Sequence, residues 1–225
     1  LLTYVINVTV GIVLDRLTQM ERCQSKTQKM SSLLLKNVIA KVLNTTVVYF
    51  ILYQMNPTDP MVKEGLSSKV MGLLTFSAEL KIVNDLFQPV SFVKKLFGKK
   101  LMISPLKEIN MFQIELNHVI QKNEFNLPNQ YSYYIFVMYL VAFYSMITPF
   151  SNLTILSLFV IQYWVDKYVL FKHMSSPVDF GFRLTTLIHH CFEGTLLVFA
   201  VGHFYWNSKI NPKSPREANY VNITN

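Results

Sequence analysis

The sequence predicts an all-α protein, a bundle of helices that crosses a membrane several times. Of its 225 residues, 51% are hydrophobic, 14% are aromatic and only 15% are charged, whereas soluble domains usually carry about a quarter charged residues. The seven glycines and ten methionines are not typical of a β-barrel, which needs many short alternating strands joined by turns. The apolar runs along the chain predict a polytopic transmembrane bundle of about six membrane helices.

The distribution of charge favours a membrane protein over a nucleic-acid-binding one. The net charge is +8, but the Lys and Arg residues gather between the apolar runs and not along one helix face, as the positive-inside rule predicts for cytosolic loops. We therefore expect no nucleic acid partner. Cys23 and Cys191 lie in a basic segment and an apolar run, and they imply neither a disulfide framework nor a cysteine-rich metal site.

The first half of the chain alternates between apolar runs and polar connectors. Residues 1–14 resemble the tail of a spanning helix, and because no Met, basic leader or cleavage site precedes them we interpret the chain as a fragment of a longer protein. Residues 15–32 form a polar, basic connector that should be cytosolic. Residues 33–54 can span the membrane, and the proline-containing turn at 56–65 should lie outside and lead into a helix over 66–97.

The second half begins with a cytosolic segment. Over residues 94–130 apolar positions recur every three or four residues, which predicts an amphipathic connector lying on the membrane or on the bundle. Residues 131–148 and 153–164 are apolar runs too short for two independent crossings. We therefore expect a tight turn with Pro149 at its outer tip and a second arm that continues toward Phe171.

The last spanning run covers residues 184–205 and follows a mixed cytosolic connector at 166–183. Residues 1–205 then form one channel-type transmembrane domain, and residues 206–225 form a flexible polar tail. The tail contains a glycosylation sequon at Asn222, which the alternating topology places outside.

The helix over residues 66–97 carries polar side chains where a lipid anchor would carry Leu and Val. They are Glu79, Lys81, Asn84, Asp85 and Gln88. A charge at membrane depth costs ~2.5 kcal/mol or more unless it faces water or a partner, so this polar stripe predicts a functional site. The alternatives are an amphipathic helix at the interface, or neutralisation of Lys81 by Asp85 at i and i+4.

A metal-dependent membrane enzyme is a further alternative. His190 and Glu193 lie three residues apart on one helix face, beside His189. However, no second cluster of ligands at suitable spacing accompanies them. We therefore expect no metal, no cofactor and no enzymatic activity.

Three stretches resemble the OSCA family of calcium-permeable, stress-gated cation channels. Residues 14–51 resemble its charged connector and the helix with a central Asn, and FSAELKIVNDLFQPVSFVKKLF at 76–97 resembles its helix with a midpoint glutamate and a later proline. The most specific stretch is 129–177, a tyrosine-rich run with a proline at its turn and the exit VDKYVLF at 165–171. The chain departs from the family by Lys81 and Asp85 and by a short outer loop, and it lacks the family's N-terminal helices, dimerising domain and first pore helix.

The resemblance implies a channel that opens under membrane tension, with one pore per subunit of a homodimer assembled through a region outside this chain. It implies contact with membrane lipids, permeation of calcium, potassium and sodium, and a location in the plasma membrane or an endomembrane. Glu79 aligns with the pore-helix glutamate. The further pore or gating candidates are Asn84, Asp85, Gln88, Asn44 and Tyr139. A phospholipid scramblase, which the related anoctamin superfamily includes, and a non-conducting structural subunit are the alternatives.

Overall fold

A computed structural model describes residues 2–21, 25–55, 65–87, 125–175 and 182–210. Every regular element in these ranges is a helix, which confirms the all-α class. The six helices of the described residues are α1 (Leu2–Met20), α2 (Lys26–Met55), α3 (Leu66–Phe87), α4 (Leu127–Tyr144), α5 (Ser151–Lys172) and α6 (Phe182–Ile210).

Three of these helices are long and apolar enough to cross a membrane, namely α2, α5 and α6. This supports an integral membrane protein. The prediction of about six membrane helices exceeds these three, because it also counts α1, α3 and α4. The polar stripe lowers the hydropathy of α3, while α4 has only 18 residues and begins with the polar sequence LPNQ.

The connector predicted at residues 15–32 is largely helical. α1 continues to Met20 and α2 begins at Lys26, so the two helices extend beyond their apolar runs. The hydroxyl of Ser25 accepts a hydrogen bond from the backbone N–H of Gln28 at 3.1 Å, which caps the start of α2. The apolar pattern marks the part of a helix that suits a membrane, whereas the helix itself ends where its cap lies.

α2 contains one π-helical turn. Its α-helical segments Lys26–Val42 and Val48–Met55 are joined by a π turn at Leu43–Val47. A π turn adds a residue to the helix and is frequently found at functional positions. Because of the added residue, the side chains after residue 47 are rotated about the axis of α2 and face a different side of the helix.

α3 begins at Leu66, as predicted, and is described as far as Phe87. Residues 88–124 lie outside the described part of the chain, so the predictions for Gln88 and for most of the amphipathic connector stay predictions. The same holds for Asn222 and the tail from residue 211 onward.

A turn containing Pro149 separates α4 from α5, which confirms the predicted break. The hydroxyl of Thr148 donates to the Tyr144 carbonyl oxygen at 2.9 Å, and that of Ser151 donates to the Thr148 carbonyl oxygen at 2.6 Å. These bonds satisfy polar groups at the helix ends, which the apolar surroundings would otherwise leave unpaired. α5 ends at Lys172, one residue after the predicted end of that arm.

α6 is longer than the predicted span of 184–205. It starts at Phe182 and continues to Ile210, so residues 206–210, which were expected in the flexible tail, are helical. Trp206 is fully buried. Burial of this large side chain stabilises the last turns of α6.

The chain divides into two compact units, defined by their described residues. Unit 1 contains α1, α2, the start of α3 to Leu74, α4 from Pro128, the start of α5 to Ile155, and α6. Unit 2 contains α3 from Thr75 and α5 from Leu156.

The core of unit 1 joins α2, α4 and α6. Its buried cluster consists of Leu34, Val38, Ile135, Leu184 and Cys191. A second contact region is aromatic, with the rings of Phe50, Phe143 and Tyr205 arranged edge to face around α2, α4 and α6. Edge-to-face pairs of this kind stabilise packing beyond the area they bury.

A glycine permits close approach of α4 and α6 in unit 1. A Cβ placed on Gly202 would lie 2.8 Å from the Cα of Phe143 and in conflict with the carbonyl oxygen of the same residue. Small residues at such crossings let the backbones of membrane helices pack closely. Only glycine therefore fits at position 202 without a shift of the backbone.

Candidate functional site

The most highly charged contact in the described structure lies in unit 2, between α3 and α5. We call it the carboxylate cluster and define it as Lys81, Asp85, Gln162 and Asp166. Lys81 and Asp85 lie one helical turn apart on α3, and Gln162 and Asp166 lie one turn apart on α5. The i, i+4 spacing within each helix therefore directs both pairs toward one place.

The hydrogen bonds of the cluster centre on Asp85. Its Oδ2 accepts a bond from the Lys81 ammonium group, with which it forms an ion pair. The same Oδ2 accepts a bond from Nε2 of Gln162 at 2.7 Å, and Nε2 also donates to Oδ1 of Asp166 at 2.9 Å. The Gln162 amide thus bridges two carboxylates that would otherwise repel one another.

The cluster is shielded from solvent. Gln162 is 3% exposed, and the side chains of Lys81 and Asp85 are 12% and 11% exposed. Removing charges from water is costly unless they are paired and hydrogen-bonded, as they are here. The cluster brings two carboxylates, those of Asp85 and Asp166, close to one ammonium group, that of Lys81.

Gln162 lies well inside a helix that can cross a membrane. At ~1.5 Å per residue it is about 16 Å from Ser151, the first residue of α5, in a hydrocarbon layer about 30 Å thick. Gln162 bonds there to the carboxylates of Asp85 and Asp166, and ionisable side chains within membrane helices are rare and mark ion or substrate pathways. The cluster is therefore the strongest candidate for a functional site.

Glu79 and Asn84, two of the predicted pore residues, are exposed on α3. Glu79 shares its face with Phe76 and Val83, which are 37% and 48% exposed. A carboxylate among exposed apolar side chains is costly in contact with lipid. The face of Glu79 is thus distinct from the inner side of α3, on which Ala78 is buried.

Asn44, the predicted pore residue on α2, lies in the π turn in unit 1. Its Nδ2 donates to Oδ1 of Asn7 at 2.8 Å, and Nδ2 of Asn7 donates to the hydroxyl of Thr45 at 3.2 Å. The π turn thus holds two side chains that bond to α1. In the next residue, the Thr46 carbonyl oxygen accepts a bond from the Tyr144 hydroxyl at 2.9 Å.

Tyr139, the predicted pore residue on α4, contacts α6 in unit 1. Its hydroxyl donates to the carbonyl oxygen of Cys191 at 2.8 Å, and its ring packs against the core that contains Cys191. The hydroxyl also lies against Gly194. In the structure Tyr139 therefore holds two helices together.

The histidine and glutamate side chains on α6 form an exposed group. Oε2 of Glu193 lies 3.0 Å from Nδ1 of His190, and its Oε1 lies 3.3 Å from Nε2 of His189. In the part of the chain that the structure describes, no three His, Cys, Asp or Glu side chains are arranged to hold a metal ion.

The predicted site residues thus fall in both units. Glu79, Asn84 and Asp85 belong to unit 2, whereas Asn44 and Tyr139 belong to unit 1. Gln162 was not among the predicted site residues, and Asp166 was expected at the start of a connector but lies within α5. The signal that could have found them is a polar pair at i and i+4 within an apolar run, the same signal that drew attention to Lys81 and Asp85.

Comparisons with protein-family models, with curated protein sequences and with solved structures give no match to this chain.

Proposed function

We propose that the chain forms the transmembrane part of a cation channel of the OSCA type that opens under membrane tension. The observation that carries the proposal is the carboxylate cluster, a shielded group with two carboxylates that includes a residue deep within a helix able to span the membrane. The sequence likeness at residues 76–97 and 129–177 covers both helices that form the cluster.

The chemistry of the cluster suits a gated cation path. Asp85 and Asp166 provide carboxylate oxygens, which calcium, sodium and potassium prefer over nitrogen or sulfur ligands. In the structure the Lys81 ammonium and the Gln162 amide engage these oxygens and therefore compete with a permeating cation. Movement of α3 relative to α5 would break the Gln162 bonds and leave the carboxylates available.

Membrane tension supplies the driving force for this movement. A conformation with a larger footprint in the membrane is favoured when tension rises, so tension shifts a two-state equilibrium toward it. On this proposal Glu79, Asn84 and Gln88 line or gate the path along α3, and the bond from Asn44 to Asn7 holds the neighbouring π turn in one state. The working channel is a homodimer in lipid, assembled through a region outside this chain.

Patch-clamp recording from cells that express the full-length protein tests the proposal. We expect stretch-evoked cation currents whose calcium selectivity falls about threefold in Asp85→Asn, because a unit charge about 6 Å from an ion in water changes its energy by about 0.7 kcal/mol. Glu79→Ala should reduce selectivity in the same direction. Lys167→Gln is the matched control, since Lys167 is exposed on α5 beside Asp166 and its loss changes the net charge but not the cluster.

The outcomes separate the proposal from a structural role. Absence of stretch-evoked current in the wild type would contradict the channel. A change in selectivity of similar size and opposite sign in Lys167→Gln would contradict the role of the cluster, because the two substitutions change the net charge in opposite directions and selectivity would then follow the overall charge.

A phospholipid scramblase is the second candidate, and the position of Glu79 supports it. A polar residue exposed among Phe76 and Val83 offers a contact for lipid head groups along the outside of α3. Liposomes that contain a fluorescent lipid and the purified protein, without an ion gradient, measure this activity directly. Lipid transfer that Glu79→Ala abolishes, without stretch-evoked current, would favour the scramblase.

A further inference from the structure

A cleft lies between the first turns of α2 and α6, within unit 1. Its volume is about 670 Å³, within the range of ~300–1,000 Å³ that small-molecule sites occupy. The lining includes Gln28, Ser31 and Leu35 on α2, with Arg183, Thr186 and Leu187 on α6. Both helices begin at the cleft, and both are candidate membrane spans, so the cleft lies where a membrane meets water.

The wall of the cleft contains a buried polar group without a partner. Ser31 is 8% exposed, and its Oγ has no hydrogen-bond partner among the described residues. Such groups are rare in folded proteins, because a buried hydroxyl is disfavoured unless something bonds to it. Ser31 lines the cleft, and rotation of its buried hydroxyl toward the cleft would let a ligand supply the missing bond.

The charge at the mouth of the cleft is positive. Arg183 is exposed and forms no ion pair with the residues that the structure describes. The nearby carboxylates are already engaged, since Glu21 pairs with Lys36 and Glu193 with His190. The helix dipoles of α2 and α6 add partial positive charge at their first turns.

We propose that this cleft binds the phosphate group of an anionic phospholipid. The guanidinium of Arg183, the amide of Gln28 and the hydroxyl of Ser31 supply hydrogen-bond donors to the phosphate oxygens. Leu35 and Leu187 give the cleft apolar walls, and Leu35 is 42% exposed, as a contact for an acyl chain requires. Basic pockets between membrane helices recognise lipid head groups in this way.

The side of the membrane fits this ligand. The cleft adjoins the basic connector at residues 15–32, which the positive-inside rule places in the cytosol. Anionic lipids are concentrated in the cytosolic leaflet. The proposed ligand is therefore present at the surface on which the cleft opens.

The test uses the full-length protein purified in detergent and titrated with short-chain phosphatidic acid, phosphatidylcholine or inorganic phosphate, with thermal stabilisation as the readout. We expect phosphatidic acid to stabilise the wild type and the other two probes to do so far less. Arg183→Gln should weaken phosphatidic acid binding about tenfold, through loss of a charge-assisted bond. Ser31→Ala should weaken it about threefold, through loss of a neutral one. Lys209→Gln, which removes a positive charge from the opposite end of α6, should leave binding unchanged.

Three results would overturn the proposal. Equal stabilisation by inorganic phosphate would identify a site for free anions in place of a lipid. An equal loss of affinity in Arg183→Gln and Lys209→Gln would indicate attraction to the overall charge. Failure of phosphatidic acid to stabilise the wild type would show that the cleft does not bind lipid phosphate.

Discussion

The two units accommodate polar side chains within apolar helices in different ways. In unit 1 several contacts between helices are neutral hydrogen bonds, such as Asn44 to Asn7 and Tyr144 to the Thr46 carbonyl oxygen, and the ion pair of Lys36 with Glu21 is exposed. In unit 2 the contact between α3 and α5 contains charges, with Asp85 bonded to both Lys81 and Gln162. The acid–base pair that is shielded from solvent thus lies in unit 2, whereas the pair in unit 1 is exposed.

The difference is informative because neutral hydrogen bonds and buried ion pairs contribute differently to the free energy of unfolding. A neutral hydrogen bond contributes about 0.5–1.5 kcal/mol and holds helices together at little cost. A buried ion pair is often no more stabilising than an apolar pair of the same size. Packing therefore explains the neutral contacts of unit 1, whereas the shielded charges of unit 2 call for a function.

The largest expected effect is in unit 2, from removal of one charge of the buried pair. Asp85→Ala leaves the Lys81 ammonium without its carboxylate and should lower the free energy of unfolding by about 3–5 kcal/mol. The double variant Lys81→Leu/Asp85→Leu removes both charges and should recover most of that loss. Thermal unfolding of the purified protein in detergent measures both changes.

The comparison fails if the double variant is as unstable as Asp85→Ala. In that case the charges are needed for stability, and unit 2 does not differ from unit 1 in the way described. Recovery of stability with loss of stretch-evoked current would instead separate the function of the pair from its contribution to folding.

The second effect is in unit 1, at the close approach of α4 and α6. Gly202→Ala places a methyl group against the backbone of Phe143, which must shift, and should cost about 1–3 kcal/mol. Gly72→Ala is the matched control, because a Cβ there meets nothing within 4 Å. In the interior of α3 this change should stabilise the protein by about 0.5–1 kcal/mol. Equal destabilisation by the two substitutions would show that the α4–α6 contact is not the cause.

The sequence predicted the helical class and the break at Pro149, because apolar runs and a proline are local signals. It did not predict the full extent of the helices, since α1 and α2 continue through polar residues to Met20 and from Lys26. The apolar pattern indicates which residues suit a membrane. A polar turn at a capped helix end lengthens the helix but adds no apolar residues to that pattern.

The candidate site was only half predictable. The stripe on α3 drew attention to Asp85 because charges are rare in apolar runs. Its partner Gln162 lies 77 residues away, and helical periodicity within one segment carries no information on which segment packs against it. The pore role predicted for Tyr139 stays a prediction, and its contact with Cys191 and Gly194 on α6 is again one that the apolar run around it could not indicate.

The smallest expected effect comes from an ion pair of unit 1 that water can reach. Glu21 and Lys36 join α1 to α2 with side chains 41% and 33% exposed, far more than those of the pair on α3. The hydrogen bond from Lys36 lowers the pKa of Glu21, and the hydroxyl of Ser32 adds a bond to the same carboxylate at 3.2 Å. Because the pKa is lowered on folding, the pair stabilises the protein above the pKa of the unfolded state, about 4.3, and this stabilisation is lost as the pH falls through the folded-state pKa.

Thermal unfolding at a series of pH values tests this in wild type and Glu21→Gln. The two proteins should differ slightly in Tm near neutral pH and converge in acid, since protonated Glu21 no longer pairs with Lys36. The difference should shrink at high salt, which screens exposed charges. In a Lys36→Met background, Glu21→Gln should have a much smaller effect, because the partner is already absent. A Tm difference that persists unchanged below the folded-state pKa would instead assign the role of Glu21 to packing.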